Sequence, residues 1–398
     1  MQLVAYGAQD VYLTGNPKVT FFQAVYKRHT NFAMECIEQT VNGTATNSGR
    51  VSVTVARNGD LVGEMFVEVK TQSTGLSTPE SRAWVAERVI SDVELSIGGQ
   101  KIDKHYQRWW ALYSELYLDH QHKVNWGKMT SMPQDSVSKP VYLPLIFFFN
   151  RNPGLYLPLI ALQYHEVRLD FDLTSTFETY AADNLFKVWA NYVYLDTEER
   201  RRFAQGAHEY LIEQVQHTGE FGVTEGQATN VRLTYNHPVK ELVWCFPLQT
   251  GSTTLRDFGS DPWVIGFGES FDLISLSGCP CDRGSEYYEE EHGPLETFKL
   301  ILNGQDRFKE QPGKYFNQVQ PFYHHSGDVP LGIYSYSFAL KPEEHQPTGT
   351  CNFSRIDNAQ AAISIKSGLT DNTTLSMFAV NYNVLRIQSG MGGLAFSN

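Results

Sequence analysis

The sequence predicts an all-β chain made of two similar antiparallel sandwiches in tandem. Three observations predict it. Strand-favouring residues are plentiful: 24 Phe, 21 Tyr and 7 Trp stand among 398 residues, beside many Val, Ile and Thr, and these types suit a pleated, half-buried surface. Short alternating or β-rich runs recur from residue 32 onward between Gly, Pro and Asn turns. The second half also echoes the first, since Ile37-Glu38-Gln39 returns as Ile212-Glu213-Gln214.

The runs come in order. In the first half they are "RVSVTVA" (50–56), "LVGEMFVEV" (61–69), "DVELSIGG" (92–99), "PVYLPLIFFF" (140–149), "ALQYHEVRLDFDL" (161–173) and "FKVWANYVYL" (186–195). In the second they are "NVRLTYN" (230–236), "KELVWCF" (240–246), "TFKLILNG" (297–304), "IYSYSFAL" (333–340), "AAISIK" (361–366) and "SMFAVNYNVLRI" (376–387). One segment, "HYQRWWALYSELYL" (105–118), has helical spacing, with Trp109, Leu112, Tyr113 and Leu116 on one face. Residues 119–139 and 248–295 read as long polar surface loops.

The echo keeps its order along the chain. "VSVTVARNGDLVGEMF" is answered by "VRLTYNHPVKELVWCF", and "LSIGGQKIDK" (95–104) by "LILNGQDRFK" (300–309). The helix has a shorter counterpart near "KYFNQVQPF" (314–322), and "WANYVYL" (189–195) is answered by "AVNYNVL" (379–385). Ordered matches with strand patterning indicate tandem duplication. About eight antiparallel strands per copy, in two packed sheets, make a jelly roll. The expected architecture is therefore a tandem double jelly roll with one short helix per domain. An arm at 1–30 precedes a first domain at 31–200 and a second at 201–398, joined near "TEERRRFAQGAHEY" (197–210). Three such chains around an axis would present six similar domains, a unit that tiles a shell by closed symmetry. The paired Gly99-Gln100 and Gly304-Gln305, and Asn191-Tyr192 and Asn381-Tyr382, read as structural; Gly permits positive φ at a strand end.

Composition excludes several classes. The chain is 41% hydrophobic and 19% charged, with net charge −12 and pI near 5.5. Such an acidic surface repels phosphate backbones, so no direct nucleic-acid role is expected. Arg200-Arg201-Arg202 follows Glu198-Glu199 and reads as a solvated or ion-paired linker. Five cysteines, at 36, 245, 279, 281 and 351, form no disulfide framework, and Cys279-Pro280-Cys281 reads as a loop. No basic stretch leading into an apolar one opens the chain, so no signal peptide is expected. The most apolar run, 142–149, is far short of the ~20 residues of a membrane span.

Motifs for chemistry are weak. His120-x-His122 is similar to part of a cupin metal motif, yet the carboxylate and further histidine such a site needs do not follow. His165 and Glu166 are strand neighbours and face opposite ways. Neither a His-Glu-x-x-His zinc motif nor a Gly-x-Ser-x-Gly elbow occurs. The expectation is no catalytic residue, no cofactor and no metal. Of three Asn-x-Ser/Thr sequons, Asn42 and Asn372 are the candidate glycan sites; Asn352 lies beside a strand and reads as inaccessible.

Longer stretches resemble one family. "QLVAYGAQDVYLTGNPKVTFFQAVYKRHTNFA" (2–33), "DVELSIGGQKIDKHY" (92–106), "YLPLIFFFNRNPGLYLPLIALQYHEV" (142–167) and "VYLDTEERRRFA" (193–204) resemble the major capsid proteins of nucleocytoplasmic large DNA viruses, the algal-virus branch above all. "HEYLIEQVQ" (208–216), "LNGQDRF" (302–308), "YSFALKPEEHQPTGTCNFSRIDNA" (336–359) and "NYNVLRIQSGMGGLA" (381–395) extend the resemblance. It implies a structural, non-enzymatic protein that assembles as pseudo-hexagonal homotrimeric capsomers in an icosahedral shell. It implies neighbouring capsomers and minor capsid proteins as partners, surface glycans, and a place in the virion after assembly in the host cytoplasm. A minor capsid paralogue and a carbohydrate-binding jelly roll are the alternatives. In the arm, Phe21, Phe22, Val25 and Tyr26 are expected on one face of a short helix. That face either packs on its own first domain or contacts a neighbouring capsomer or minor protein.

Overall fold

A computed structural model of the chain describes residues 7–72, 82–132, 139–247, 293–327, 329–366 and 374–396. The first half supplies eight principal strands: β1 Phe32–Gln39, β2 Arg50–Thr54, β3 Leu61–Thr71, β4 Ile90–Ile97, β5 Gln100–Tyr106, β6 Pro140–Pro144, β7 Val167–Leu173 and β8 Ala181–Leu195. They form two antiparallel sheets in the orders β1-β8-β3-β6 and β2-β7-β4-β5. The second half supplies β9 His208–Gly222, β10 Thr229–Leu233, β11 Pro238–Cys245, β12 Leu295–Leu302, β13 Gln305–Asp306, β14 Ile333–Ser337, β15 Ala359–Ile365 and β16 Thr374–Gln388. Their orders, β9-β16-β11-β14 and β10-β15-β12-β13, repeat the first pair strand for strand. This is a double jelly roll.

Alternation builds each core. Along β3, Met65, Val67 and Val69 point inward between half-buried Glu64, Phe66 and Glu68; along β15, Ala361, Ile363 and Ile365 do the same. Each fully buried Val, Ile or Leu contributes about 1.5–3 kcal/mol of apolar transfer. The two hairpins that echo each other, β4–β5 and β12–β13, close the same way. Gly98 and Gly99 turn at φ 58° and 81°, Asn303 and Gly304 at 51° and 78°. Two positive-φ residues in a two-residue loop match the twist of the flanking strands, and Gly and Asn tolerate that region best.

The echo of letters is not an echo of register. Glu38 lies opposite Trp189, and the residue opposite Phe378 is His217, not Glu213. Trp189 and Phe378 nonetheless share a setting: each is in the eighth strand of its half and lies opposite the third, at Phe66 and Val243.

Helix α1, Gln107–Leu116, buries Trp109, Trp110, Leu112 and Leu116. The expected loop at 119–139 is replaced over much of its length by a second helix, α2, His120–Thr130. Asp119 caps it, accepting from the backbone N–H of His122 at 2.8 Å, and Trp126 anchors it by donating to Glu87 at 2.6 Å. Its polar exposed face hid its period. The Arg200–Arg202 run lies in α3, Thr197–Gln205, capped by Asp196. Arg200 pairs with Asp60 at 3.0 Å and Arg201 with Glu198 at 3.6 Å, so this segment is ion-paired. In the second half, a π-type turn at Tyr315–Val319 continues into α4, Gln320–His324.

The halves meet where β5 approaches β9. The Val215 amide donates to Asp103 at 3.0 Å, and the Gln214 amide donates to the Ile102 carbonyl. Ile212, Val243, Phe378 and Val380 of the second half belong to the same buried cluster as the first core. A separate cluster around Trp244, Phe298 and Phe316 fills the second jelly roll. Gly327 closes the seam, its N–H donating to the Leu116 carbonyl at 3.1 Å. A Cβ there would stand 2.4 Å from the Glu115 and Leu116 carbonyl oxygens, so no larger residue fits.

Candidate assembly surfaces

From residue 7 to 31 the chain is exposed apart from a half-buried Asp10. Phe21 is 90% and Phe22 99% exposed, and Val25 and Tyr26 are equally open. The expected helix over these residues does not form; the arm's described helical turn is Val11–Thr14 instead. A short helix is marginal without packing to offset its nucleation cost, and here no surface of the first jelly roll receives it. In the single chain this face is not covered by its own domain. The arm's four apolar side chains lie among Lys18, Lys27 and Arg28, and they are presented outward. Such a solvent-facing apolar cluster marks an interaction surface.

A second open apolar surface lies on the outer face of the β1-β8-β3-β6 sheet. It is a groove of about 570 Å³ lined by Cys36, Phe66, Glu68, Tyr142 and Trp189 among others. Trp189 stacks on Phe66 at 6.4 Å, and Tyr142 meets Phe66 edge-on at 5.8 Å. The Trp189 indole donates to Glu68 at 2.7 Å. At its margin the Tyr156 hydroxyl donates to Glu64; burial, then Glu64, pushes that phenol's pKa up.

In the second half the same face is covered by the first. Trp109 of α1 lies 5.6 Å from Phe378, and Tyr106 and His217 close around the same ring. Burial pushes the Cys245 thiol up to about 11, with Arg108 of α1 beside it pulling the other way. The segment that corresponds to α1, Tyr315–His324, buries Phe316 in its own core. It leaves Phe322 80% and Tyr323 72% exposed, their rings edge to face at 5.2 Å.

Titratable groups gather at the seam. Glu213 accepts from Arg151 at 2.9 Å and pairs with Lys240 at 2.8 Å. Burial raises the Glu213 pKa, but Arg151 and Lys240 outweigh it and hold the carboxyl below its ordinary value. Burial pulls Lys240 down despite Glu213; its ammonium also donates to the Pro342 carbonyl at 2.6 Å. The fully buried His325 ring stands 3.1 Å from Glu241 and 3.3 Å from Glu343. Burial opposes its charge, yet the two carboxylates win and raise its pKa to about 9. Three carboxylates thus meet three cations. Of these pairs, Arg151–Glu213 joins the first half to the second, and the others tie together strands and loops of the second.

The histidines and sequons singled out in the sequence fall at separate places. His122 contacts Asp119 at 2.7 Å on an exposed face. His165 Nδ1 lies 2.8 Å from the Gly392 carbonyl and serves the seam. Among the described residues no group of three or more His, Cys, Asp and Glu could hold a metal. Asn42 is exposed beside Gly43. Asn352, expected inaccessible, is also exposed; its side chain accepts from the Ser354 amide at 3.1 Å. Asn372, Cys279 and Cys281 lie outside the described residues. No described helix is long and apolar enough to cross a membrane.

Comparison with known proteins agrees with this architecture. The family model of the large eukaryotic DNA virus major capsid protein matches residues 199–393, and that of the major capsid protein N-terminus matches 20–196. The chain is 44% identical to the major capsid protein of Paramecium bursaria Chlorella virus 1, over all of this chain and 99% of that protein. It is 42% identical to that of Pyramimonas orientalis virus, over the same shares. Its shape is similar to the subunit in the quasi-atomic model of the PBCV-1 virus capsid, with TM-score 0.80 and 41% identity over 95% of this chain and all of that one. The Faustovirus major capsid protein, 12% identical, shares the fold at TM-score 0.69 over 96% of this chain and 94% of that one. The chain belongs to the major capsid proteins of large eukaryotic DNA viruses.

Proposed function

We propose that this capsid protein forms its icosahedral shell from homotrimers of pseudo-hexagonal outline, with no catalytic step. The observation that carries this reading is the strand-for-strand repetition of one jelly roll within the chain. Two like domains per chain give a trimer six like corners, and closed rotational symmetry is the common route to assembly. We take the chain as an arm at 1–30, a first jelly roll at 31–200 and a second at 201–398. The exposed arm residues Phe21, Phe22, Val25 and Tyr26 reach a neighbouring capsomer or a minor capsid protein beneath the shell. Asn42 is an exposed position for a surface glycan, and assembly takes place in the host cytoplasm. The net charge of −12 suits a shell that does not grip its genome. Light scattering after size exclusion tests the oligomer. A stable species near three times 45.2 kDa is expected, and a monomer at micromolar concentration would overturn the trimer.

A further inference from the structure

We infer that the trimer is held by Phe322 and Tyr323 of one copy seated in the Trp189–Phe66 groove of the next. This rests on the trimer reading above and names its contact. The chain contains one instance of the joint already made. Within it, the helix after the fifth strand of the first jelly roll covers the outer face of the second, and Trp109 lies against Phe378. The second jelly roll carries its own segment after its fifth strand, and there Phe322 and Tyr323 meet solvent. The first jelly roll carries its own outer face, and there the groove stands open. One half of the joint is thus left over at each end of the chain. In a ring of three, each copy gives Phe322 and Tyr323 to one neighbour and receives those of the other neighbour in its groove.

The receiving sides are built alike. Trp189 lies opposite Phe66 as Phe378 lies opposite Val243, each pair on the outer face of the eighth and third strands. Two residues beyond Phe66 stands Glu68, opposite Lys187; two beyond Val243 stands Cys245, opposite Ser376. That last exchange is informative. Inside the chain Arg108, at the start of α1, sits beside the Cys245 thiol. Between copies the exposed Lys314, at the start of the Tyr315–His324 segment, would meet the Glu68 carboxylate. Charge complementarity therefore favours the contact between copies, and aromatic side chains seated in an aromatic groove are the usual anchors of an interface.

The test is the mass of the full chain by light scattering across a dilution series, for wild type, Phe322→Ser/Tyr323→Ser and Trp189→Ser. All three changed residues are exposed or half-buried in one copy, so far-ultraviolet circular dichroism should stay native; if one variant fails to fold, the other carries the test. The expected result is a wild-type trimer whose dissociation rises at least about tenfold in each variant. A wild-type trimer with both variants dissociating as wild type would overturn this contact and leave the trimer standing. A monomeric wild type would overturn both.

Discussion

Phe378 and Trp189 both stand on the eighth strand opposite the third in two copies of one fold, and their surroundings differ completely. Phe378 is buried under Trp109, Tyr106 and His217. Trp189 stacks on Phe66, has the Lys187 ammonium 5.8 Å from its ring centre and stays half-buried. The strand order around them is the same, so the fold does not decide the difference. What decides it is whether the neighbour is in the same chain. Covalent linkage gives the second jelly roll a permanent cover, and its outer face has become core, with the third and eighth strands buried on both sides. The first jelly roll keeps a half-buried, acid-edged aromatic surface suited to a partner that arrives later.

The sharpest way to break this comparison is to truncate the same kind of ring on each side of it. Trp109→Ala removes a buried indole from the seam and should cost about 3–5 kcal/mol, read as a lower denaturation midpoint in guanidinium chloride. Trp189→Ala should cost the monomer clearly less, about 1–2 kcal/mol, because much of that ring is already wet. Equal losses in the isolated chain would mean that the outer face of the first jelly roll is already part of its core.

The seam also carries a pH signature that the open face lacks. His325 has a folded pKa of about 9 against an unfolded value near 6.5. A raised folded pKa stabilises fully below about pH 6.5, and that stabilisation is lost as pH climbs through 9. The span corresponds to about 3 kcal/mol at most. His325→Gln should therefore flatten the fall in melting temperature between pH 6.5 and 9. A variant whose melting temperature falls as steeply as wild type over that window would remove His325 as its source.

Much of the fold could be read from the residues. The alternation in "VSVTVA" and "KLILNG", the two Gly-Gln hairpins and the ordered echo lead to two jelly rolls without coordinates. The helix at 120–130 was hidden because its polar residues outnumber Val124 and Trp126 and its start depends on one cap, Asp119. The seam network was invisible for another reason. Arg151, Glu213, Lys240 and His325 are far apart in sequence, and their pairing exists only once two sheets and a loop converge. Phe322 and Tyr323 did leave a signal. They stand as adjacent aromatics at the end of the counterpart of α1, but only burial shows that they stay outside.

The arm gives the smallest expected effect on the chain and sharpens the contrast from the other side. Phe21 and Phe22 touch no core, so Phe21→Ser/Phe22→Ser should change melting temperature within the range of ordinary surface substitutions, about 0.5 kcal/mol. Trimer mass should also stay as in wild type, because the contact assigned to the trimer uses Phe322 and Trp189 instead. What should fail is the next level of assembly, seen as free capsomers in place of shells when the variant is expressed with the remaining capsid proteins and viewed by electron microscopy. Normal shells from that variant would strip the arm of its proposed role. A loss of trimers would instead move the arm into the capsomer joint and make it a rival to the Trp189 groove.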